Sequence, residues 1–280
     1  MKLAVVMPPS IFLPDDRVFP YLGPVQIATA ARDLAGWRVR VLDLTGHTRR
    51  CARSTSAGVG DVESARGALV GAVSSQRFED HSDAACVAEV WENAEHEIAA
   101  THADVYGFYA LSCQVHEAVR LLDVVRRSWP AAKTVLGGPH VAMAPGAAAL
   151  LGFDHVVADL GGGGGGEAPF LRLLSRLRLG LDAPSVVRAA PGDAVLAHWP
   201  WPDRGMIDIR SYDYRLRGER TATIVTQRGC PFACSFCSHT DFYRRIEYRD
   251  ADNVRAELDE LRRRFDYRAV MLYDDEVNIH

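Results

Sequence analysis

Short apolar runs alternate with helical stretches along the first 180 residues, and this alternation constrains the fold more than any other feature. We expect strands at 3–7, 38–44, 104–111, 133–138 and 155–159. Apolar runs of this kind suit strands buried on both faces, and strands that alternate with helices form a parallel sheet. The sequence therefore predicts an α/β fold that begins with a flavodoxin-like, doubly wound parallel sheet over residues 1–180.

Two stretches interrupt this rhythm. Residues 48–83 are rich in Ser, Ala, Gly and Arg without a sustained period, which predicts a long loop before a helix near 84–101. The prolines and tryptophans of HWPWPDRG indicate an extended linker, which we place at 181–219. A further strand, helix and strand follow, and we expect 220–280 to be the start of a partial (β/α) barrel that is incomplete at its C-terminal end.

The composition is ordinary, with 280 residues, 48% hydrophobic and 24% charged, so that two domains with their own cores are expected. A net charge of −4 does not suggest a broad basic surface, and we expect no nucleic-acid partner. The first apolar run stops at Pro8, and no other run approaches the length of a transmembrane helix. We therefore expect no membrane partner and a cytoplasmic location.

The segment RGCPFACSFCSHT places Cys230, Cys234 and Cys237 on one loop. Bunched cysteines in a reducing compartment bind metal or carry out catalysis more often than they form disulfides. Zinc requires four ligands, and His239 is awkwardly spaced as the fourth. A 4Fe–4S cluster that is held by three thiolates leaves one iron open to a substrate or a cofactor. A zinc knuckle and free thiols are the alternatives.

The cysteine loop resembles the cluster loop of the radical S-adenosylmethionine enzymes, including the aromatic Phe236 just before the third cysteine. The resemblance implies that Cys230, Cys234 and Cys237 hold a 4Fe–4S cluster whose open iron binds the amino and carboxylate groups of S-adenosylmethionine. One-electron reduction would then generate a 5′-deoxyadenosyl radical. Phe236 would lie near the adenine.

Acidic residues follow the last predicted strand in MLYDDEVN, at the edge where the sites of barrel enzymes form. The resemblance implies that these residues contact the ammonium group of S-adenosylmethionine, and the candidates are Asp274, Asp275 and Glu276. A solvated acidic strand end is the alternative for each of them. Arg249 is either a contact of a carboxylate or of the cysteine loop, or a surface residue.

Glycine-rich loops in the first 180 residues form a second group of candidates. Glycines remove side chains where a bulky ligand approaches the backbone, and glycines before a helix expose N–H groups. With YGFYALSCQ, VLGGPHVAMAP and GGGGGGEAPFLRLL, this region resembles the cobalamin-binding domain that precedes the radical domain in one large subfamily. The resemblance implies cobalamin contacts from Ser112, Gly137, Gly138, Gly163, Gly164 and Glu167.

Two departures from that subfamily matter. Many cobalamin domains supply a lower axial histidine from Asp-x-His-x-x-Gly, whereas His47 here follows Asp43 by four positions and lacks the required glycine. We interpret His140 as a loop or core histidine. The second departure is the run of six glycines at 161–166, where relatives alternate glycine with glutamate.

The resemblance implies a cobalamin-dependent radical S-adenosylmethionine enzyme, and our first hypothesis is a methyltransferase that acts on an unactivated carbon or phosphorus through methylcobalamin. The cofactors would be a 4Fe–4S cluster, S-adenosylmethionine and cobalamin. The partners would be a small-molecule substrate and an electron donor such as flavodoxin or ferredoxin.

Three alternatives stay open. One is a cyclase or rearrangement enzyme with the same cofactors. Another is a methylthiotransferase acting on transfer RNA, in which Cys51, Cys86 and Cys113 would hold a second cluster. The third is an inert, truncated corrinoid or metal carrier, because the cysteine loop lies so near residue 280 that we expect a shortened chain that is inactive alone.

Overall fold

The computed structural model describes residues 1–10, 16–46, 84–158, 165–190, 193, 196–237 and 246–277. Within these ranges the chain forms a six-stranded parallel sheet followed by a smaller unit of strands and one helix. This architecture confirms the predicted α/β fold class. The predicted loop at 48–83 and several candidate residues lie outside the described ranges, namely His47, Cys51, Gly163, Gly164 and His239, as does the side chain of Cys86.

The first part alternates strands and helices in the predicted order. Its elements are β1 (Lys2–Met7), α1 (Leu22–Asp33), β2 (Arg38–Asp43), α2 (Ala84–Ala100), β3 (Val105–Tyr109), α3 (Val115–Ser128), β4 (Lys133–Gly137), α4 (Pro139–Met143), α5 (Pro145–Ala148), β5 (His155–Ala158), α6 (Glu167–Arg178) and β6 (Val186–Arg188). The strands pair in parallel in the order β2-β1-β3-β4-β5-β6, which is the flavodoxin-like order extended by one strand.

The sixth strand corrects the prediction of five strands followed by an extended linker. Val186–Arg188 pairs in parallel with Val156–Ala158, although a run of three residues is too short to give a period in the sequence. Three short 3₁₀ turns follow between residues 196 and 211. Trp199 packs against Ala30 and Ala168, so this segment lies on the first part instead of extending away from it.

The core of the first part has two layers, one on each face of the sheet. Helices α2 and α3 cover one face, where Ile98 and Leu122 pack against Tyr106. Helices α1 and α6 cover the other face, where Ala28 and Leu174 pack against the sheet. Helices cover both faces of the sheet, so a ligand can reach it only from the ends of the strands. The loops at the carboxyl ends of the strands lie together at one of these ends.

The second part consists of β7 (Arg215–Leu216), β8 (Glu219–Ile224), β9 (Gln227–Arg228), β10 (Glu247–Tyr248), α7 (Ala251–Phe265) and β11 (Ala269–Leu272). Strand β11 pairs in parallel with β8, and α7 connects them. The helix begins at Asp250, whose carboxylate accepts from the N–H of Asn253 at 2.7 Å. This β–α–β unit is the repeat from which (β/α) barrels are built.

A buried ion triad supports strand β8. The carboxylate of Glu257 on α7 accepts from Arg204 at 2.7 Å and from Arg249 at 2.5 Å, and the three side chains are at most 5% exposed. The same guanidinium groups donate to the carbonyls of Thr223 and Val225 at 2.7 and 2.8 Å. Arg249 is therefore a buried structural residue, which corrects its interpretation as a surface residue or a contact of the cysteine loop.

The two parts also meet through a polar network at the carboxyl end of β2. Asp43 accepts from Arg17 at 2.6 Å and from the hydroxyl of Tyr212 at 2.9 Å. Burial, with the charge of Asp43, raises the pKa of Tyr212 well above its ordinary value. The hydroxyl therefore stays protonated and donates to the carboxylate.

In none of the described helices does an apolar stretch reach the length that a membrane crossing requires.

Asp203 joins helices α1 and α7 and gives a prediction for the pH dependence of stability. Burial opposes its ionisation, but hydrogen bonds from Arg32 and the Gly205 N–H, with the charge of Arg264, lower its pKa below the ordinary value. A lowered pKa stabilises the fold above the unfolded-state pKa of about 4, and the contribution is lost as the pH falls through the folded-state value. The Asp203→Asn variant should be less stable at neutral pH.

The check is urea unfolding of the parent and the variant between about pH 7 and pH 3, where the difference in unfolding free energy should shrink below about pH 4. Asp33→Asn serves as the control, since it removes a more exposed partner of the same arginine. A difference between Asp203→Asn and the parent that stays constant with pH would contradict the assignment.

Candidate functional site

The cysteine loop follows strands β8 and β9 and begins at the carboxyl end of β8. Cys230 and Cys237 are half-buried and Cys234 is exposed, and none of the three forms a disulfide within the described residues. The N–H of Cys237 donates to the carbonyl of Cys234 at 3.0 Å, which closes a turn between the second and third cysteines. Three thiols outside any described disulfide therefore lie on one short, accessible loop.

The donor set of this loop fits a cluster better than a single metal ion. Within the described ranges, no three His, Cys, Asp or Glu side chains lie close enough together to hold one ion. The three thiolate ligands of a 4Fe–4S cluster bind different irons, so they do not have to meet at one point. Zinc would require four ligands around one centre.

Two of the predicted acidic residues hold the backbone that leads into the cysteine loop. Asp274 accepts from the N–H groups of Thr226 and Gln227 at 2.6 and 3.1 Å, and from the hydroxyl of Thr226. Asp275 accepts from the N–H of Gly229 at 2.9 Å. The structure thus brings the acidic strand end and the start of the loop together, with a positioning function that the sequence did not reveal.

The other two candidates near the loop are less engaged. Glu276 is half-buried and makes no hydrogen bond or ion pair with other residues that the structure describes. The ring of Phe236 is 91% exposed at the loop surface. Both side chains are therefore available to a bound molecule, and their contacts with S-adenosylmethionine stay a prediction.

A glycine-lined cavity of about 60 Å³ lies between the sheet and helices α1 and α6. Gly137, Gly138 and Gly166, which belong to the candidate glycine loops, line it together with residues that were not among the candidates: Pro24, Ile27, Gly107, Tyr109 and Phe170. Gly138 has a φ of +103°, and a Cβ there would lie 2.7 Å from the carbonyl oxygen of Ala110. The close approach of two loops therefore requires glycine at this position.

The missed residues carried only a weak signal. A Cβ at Gly107 would lie 3.2 Å from the ring of Phe170, so a glycine inside an apolar strand marks the place where the helix approaches the sheet closely. A larger cavity of about 430 Å³ opens at the amino ends of β1, β3 and β4. We assign the ligand site to the smaller cavity, because ligands of parallel sheets bind at the carboxyl ends of strands.

Ser112 and His140 come together on neighbouring loops. The Ser112 hydroxyl and Nδ1 of His140 are 3.1 Å apart, on the loops that follow β3 and β4.

Cys113 is exposed as a residue, but partial burial of its thiol group, with the charge of Glu117, raises the pKa of the thiol. A raised pKa keeps the free thiol protonated at neutral pH.

Glu167, whose contact with the cofactor stays a prediction, binds the second part of the protein. Its carboxylate is 4% exposed and forms a bidentate ion pair with Arg228, with distances of 2.8 and 3.1 Å. Arg228 lies two residues before Cys230. This contact places the carboxyl edge of the large sheet beside the cysteine loop, so the two groups of candidates belong to one region.

Comparison with known proteins found no family model that matches the chain. The chain is 29% identical over 194 residues to the anaerobic magnesium-protoporphyrin IX monomethyl ester cyclase of Rubrivivax gelatinosus, covering 63% of this chain and 34% of the cyclase. It is 25% identical over 189 residues to an uncharacterized methyltransferase of Pyrococcus horikoshii, covering 63% of this chain and 40% of that protein.

Solved structures of the radical S-adenosylmethionine methyltransferase TsrM from Kitasatospora setae match almost the whole chain. The structure with tryptophan and an S-adenosylmethionine analogue has a TM-score of 0.60 at 20% identity, and covers 99% of this chain and 48% of TsrM. A second TsrM structure holds cobalamin and a [4Fe–4S] cluster, with a TM-score of 0.59. At this identity the match shows a common fold.

The chain spans between about a third and a half of the length of these relatives. The sequence matches and the fold match agree with the resemblance that the cysteine loop and the preceding six-stranded sheet suggested. These similarities support the family that the cysteine loop resembles, the cobalamin-binding radical S-adenosylmethionine enzymes.

Proposed function

We propose that this chain carries the cofactor-binding region of a cobalamin-dependent radical S-adenosylmethionine methyltransferase that acts on an unactivated carbon or phosphorus. The observation that carries the proposal is the position of the three-cysteine loop, which lies at the carboxyl end of β8 and is joined to the edge of the large sheet by Arg228 and Glu167. Two cofactors bound at these places would be close enough to act on one substrate.

In the proposed cluster site, Cys230, Cys234 and Cys237 would hold a 4Fe–4S cluster and leave one iron open. The cluster and S-adenosylmethionine together would supply a 5′-deoxyadenosyl radical when bound. Asp274 and Asp275 hold the N–H groups before the loop and would fix the direction in which the thiols leave the strand, and their contact with the ammonium group of S-adenosylmethionine stays a prediction. Phe236 and Glu276 would contact the adenine and the ammonium group.

In the proposed cobalamin site, the loops after β3, β4 and β5 would surround the cofactor. The cavity beside Gly107 and Gly138 is apolar, and at about 60 Å³ it would receive only part of the nucleotide tail of the cofactor, with the corrin ring outside it. Cobalamin bound there would supply the methyl group. The proposed contacts are Ser112, Gly137, Gly138, Gly163 and Gly164, with Glu167 at the same loop and its carboxylate turned to Arg228.

Cyclisation is the second candidate function, because the relative from Rubrivivax gelatinosus is a cyclase. Both reactions would use the same cofactors, a small-molecule substrate and an electron donor such as flavodoxin or ferredoxin. The methyltransferase stands first because TsrM matches almost the whole chain and the relative from Pyrococcus horikoshii is also called a methyltransferase.

Anaerobic reconstitution tests the proposed cofactors directly. The chain is purified without oxygen, supplied with iron, sulfide and cobalamin, desalted, and analysed for all three and for zinc. We expect about four irons and about one corrinoid per chain, since one three-thiolate loop holds one cluster. About eight irons without corrinoid would indicate the methylthiotransferase instead, and zinc without iron would contradict both.

The same preparation separates methyl transfer from cyclisation without a known substrate. After reduction and addition of S-adenosylmethionine, a methyltransferase should form S-adenosylhomocysteine as its corrinoid accepts the methyl group. Formation of 5′-deoxyadenosine alone would favour cyclisation or rearrangement. A preparation without corrinoid is the control for each product.

A further inference from the structure

One bidentate ion pair connects the cysteine loop to the large sheet. Arg228 lies on β9, whose backbone pairs with β10, and its guanidinium reaches the carboxylate of Glu167 across 61 residues of sequence. The two side chains are 14% and 4% exposed. A charge-assisted bidentate pair in a partly buried place fixes both the distance and the orientation of the groups it joins.

The chain leaves room for this pair at one glycine. Gly165 has a φ of +67°, and a Cβ there would lie 2.1 Å from Nη1 of Arg228 and 2.2 Å from Oε2 of Glu167. A Cβ at position 165 would collide with the ends of both side chains. Because these ends are flexible, they would move away from the Cβ and the ion pair would be disturbed. Glu167 is also the first residue of α6, where the positive end of the helix favours a carboxylate.

Arg228 lies in a short backbone segment whose neighbouring N–H groups are bound by residues of the second part. Asp274 binds the N–H of Gln227, and Asp275 binds the N–H of Gly229. The residues on both sides of Arg228 are thus bound by the two aspartates that follow β11, while its side chain is bound by the first residue of α6. Cys230 follows immediately, so its position depends on both attachments.

We propose that Glu167 and Arg228 form a positioning pair that sets the place of the cysteine loop relative to the large sheet, with Gly165 providing the space. The positioning of Cys230 follows from the contacts of this chain alone. Its consequence for catalysis, a fixed separation between the cluster and the corrinoid, rests on the proposed function. Neither residue touches a reacting atom in this proposal.

Alkylation of the cluster-free chain tests the pair without any cofactor. Cys230 and Cys113 are labelled with iodoacetamide, and the labelling rate of each is followed by mass spectrometry, so that Cys113 is an internal reference. In Glu167→Gln the rate ratio of Cys230 to Cys113 should rise by roughly tenfold, because the loop opens locally more often. Arg172→Gln, which removes an ion pair on the outer face of α6, should leave the ratio unchanged.

A double-mutant cycle separates positioning from a general loss of stability. Arg228→Gln should raise the ratio at least as much as Glu167→Gln, and the double variant should be no worse than Arg228→Gln, because both variants remove the same ion pair. Equal acceleration of Cys230 and Cys113, additive effects, or a ratio within about twofold of the parent would each overturn the proposal.

A pair of glycine variants covers the case in which Glu167→Gln does not fold. Gly165→Ala and Gly180→Ala place alanine at nearly the same φ, +67° and +65°, but nothing lies within 4 Å of a Cβ at Gly180. Only Gly165→Ala should raise the labelling ratio, and equal ratios in the two variants would overturn the proposal. Because no iron or corrinoid is measured, failure of the proposed function would leave this result unaffected.

Discussion

Replacing Cys234 with alanine is expected to lower the iron retained after reconstitution from about four to fewer than one per chain, and to leave corrinoid binding unchanged. The variant leaves two thiolates on the loop, which cannot hold a cubane against removal by a chelator. Cys234 is exposed and makes no side-chain contact in the core, so its loss should not disturb the fold. The glycine-lined cavity belongs to the other part of the chain and keeps its residues.

The measurement is iron, sulfide and corrinoid content after desalting, with the absorbance of the cluster as a second signal. Cys113→Ala is the matched control, because Cys113 is also an exposed free thiol but lies after β3. It should retain iron and corrinoid like the parent. Retention of iron by Cys234→Ala would exclude the assigned ligands, and loss of corrinoid as well would show that the two sites depend on each other.

Removing the charge of Glu257 is expected to be the most destabilising single change in the second part. Glu257→Gln leaves the guanidinium groups of Arg204 and Arg249 buried without a counter-charge, and breaking a buried pair in this way costs about 3–5 kcal/mol. Arg204 also donates to the carbonyl of Thr223 in β8, and Arg249 to that of Val225 just after the strand, so the backbone that leads to the cysteine loop should loosen with them.

Urea unfolding followed by circular dichroism measures this loss. Arg255→Gln is the control on the same helix, since its ion pair with Asp252 is largely exposed and should contribute at most about 1 kcal/mol. The sequence pattern does not distinguish Glu257 from Arg255, since both are charged residues of α7. Their expected effects on stability differ because Glu257 is buried and Arg255 is exposed. A loss below about 1 kcal/mol for Glu257→Gln would show that water or rearrangement compensates the arginines.

Local sequence patterns predicted most of the large sheet. The strand bounds differ from the prediction by at most two residues, because buried strands require continuous apolar runs that the sequence displays directly. Val186–Arg188 was missed because its assignment depends on pairing with Val156–Ala158, a partner distant in sequence. Three residues carry no period of their own, so no local pattern could have revealed the strand.

The residues of the candidate site also divide into features that a local sequence pattern predicts and features that depend on contacts between distant parts of the chain. The three cysteines lie within eight residues, so their spacing alone predicts the donor set of the loop. Asp274 and Asp275 were predicted at the correct edge because parallel strands end together. Their bonds to the N–H groups before Cys230 were not predictable, since hydrogen bonds across 46 to 48 residues depend on how β8 and β11 align.

The sequence by itself determined the α/β class, the order of strands and helices, and a cysteine loop suited to three thiolate ligands, because each depends on residues close together in the chain. Only the tertiary structure decided that Glu167 binds Arg228, that Arg249 is buried against Glu257, and that the glycines surround a cavity. These features join residues between 8 and 61 positions apart, or line one space from several elements. Their formation depends on burial and orientation, which arise only when the sheet and the second part have folded against each other.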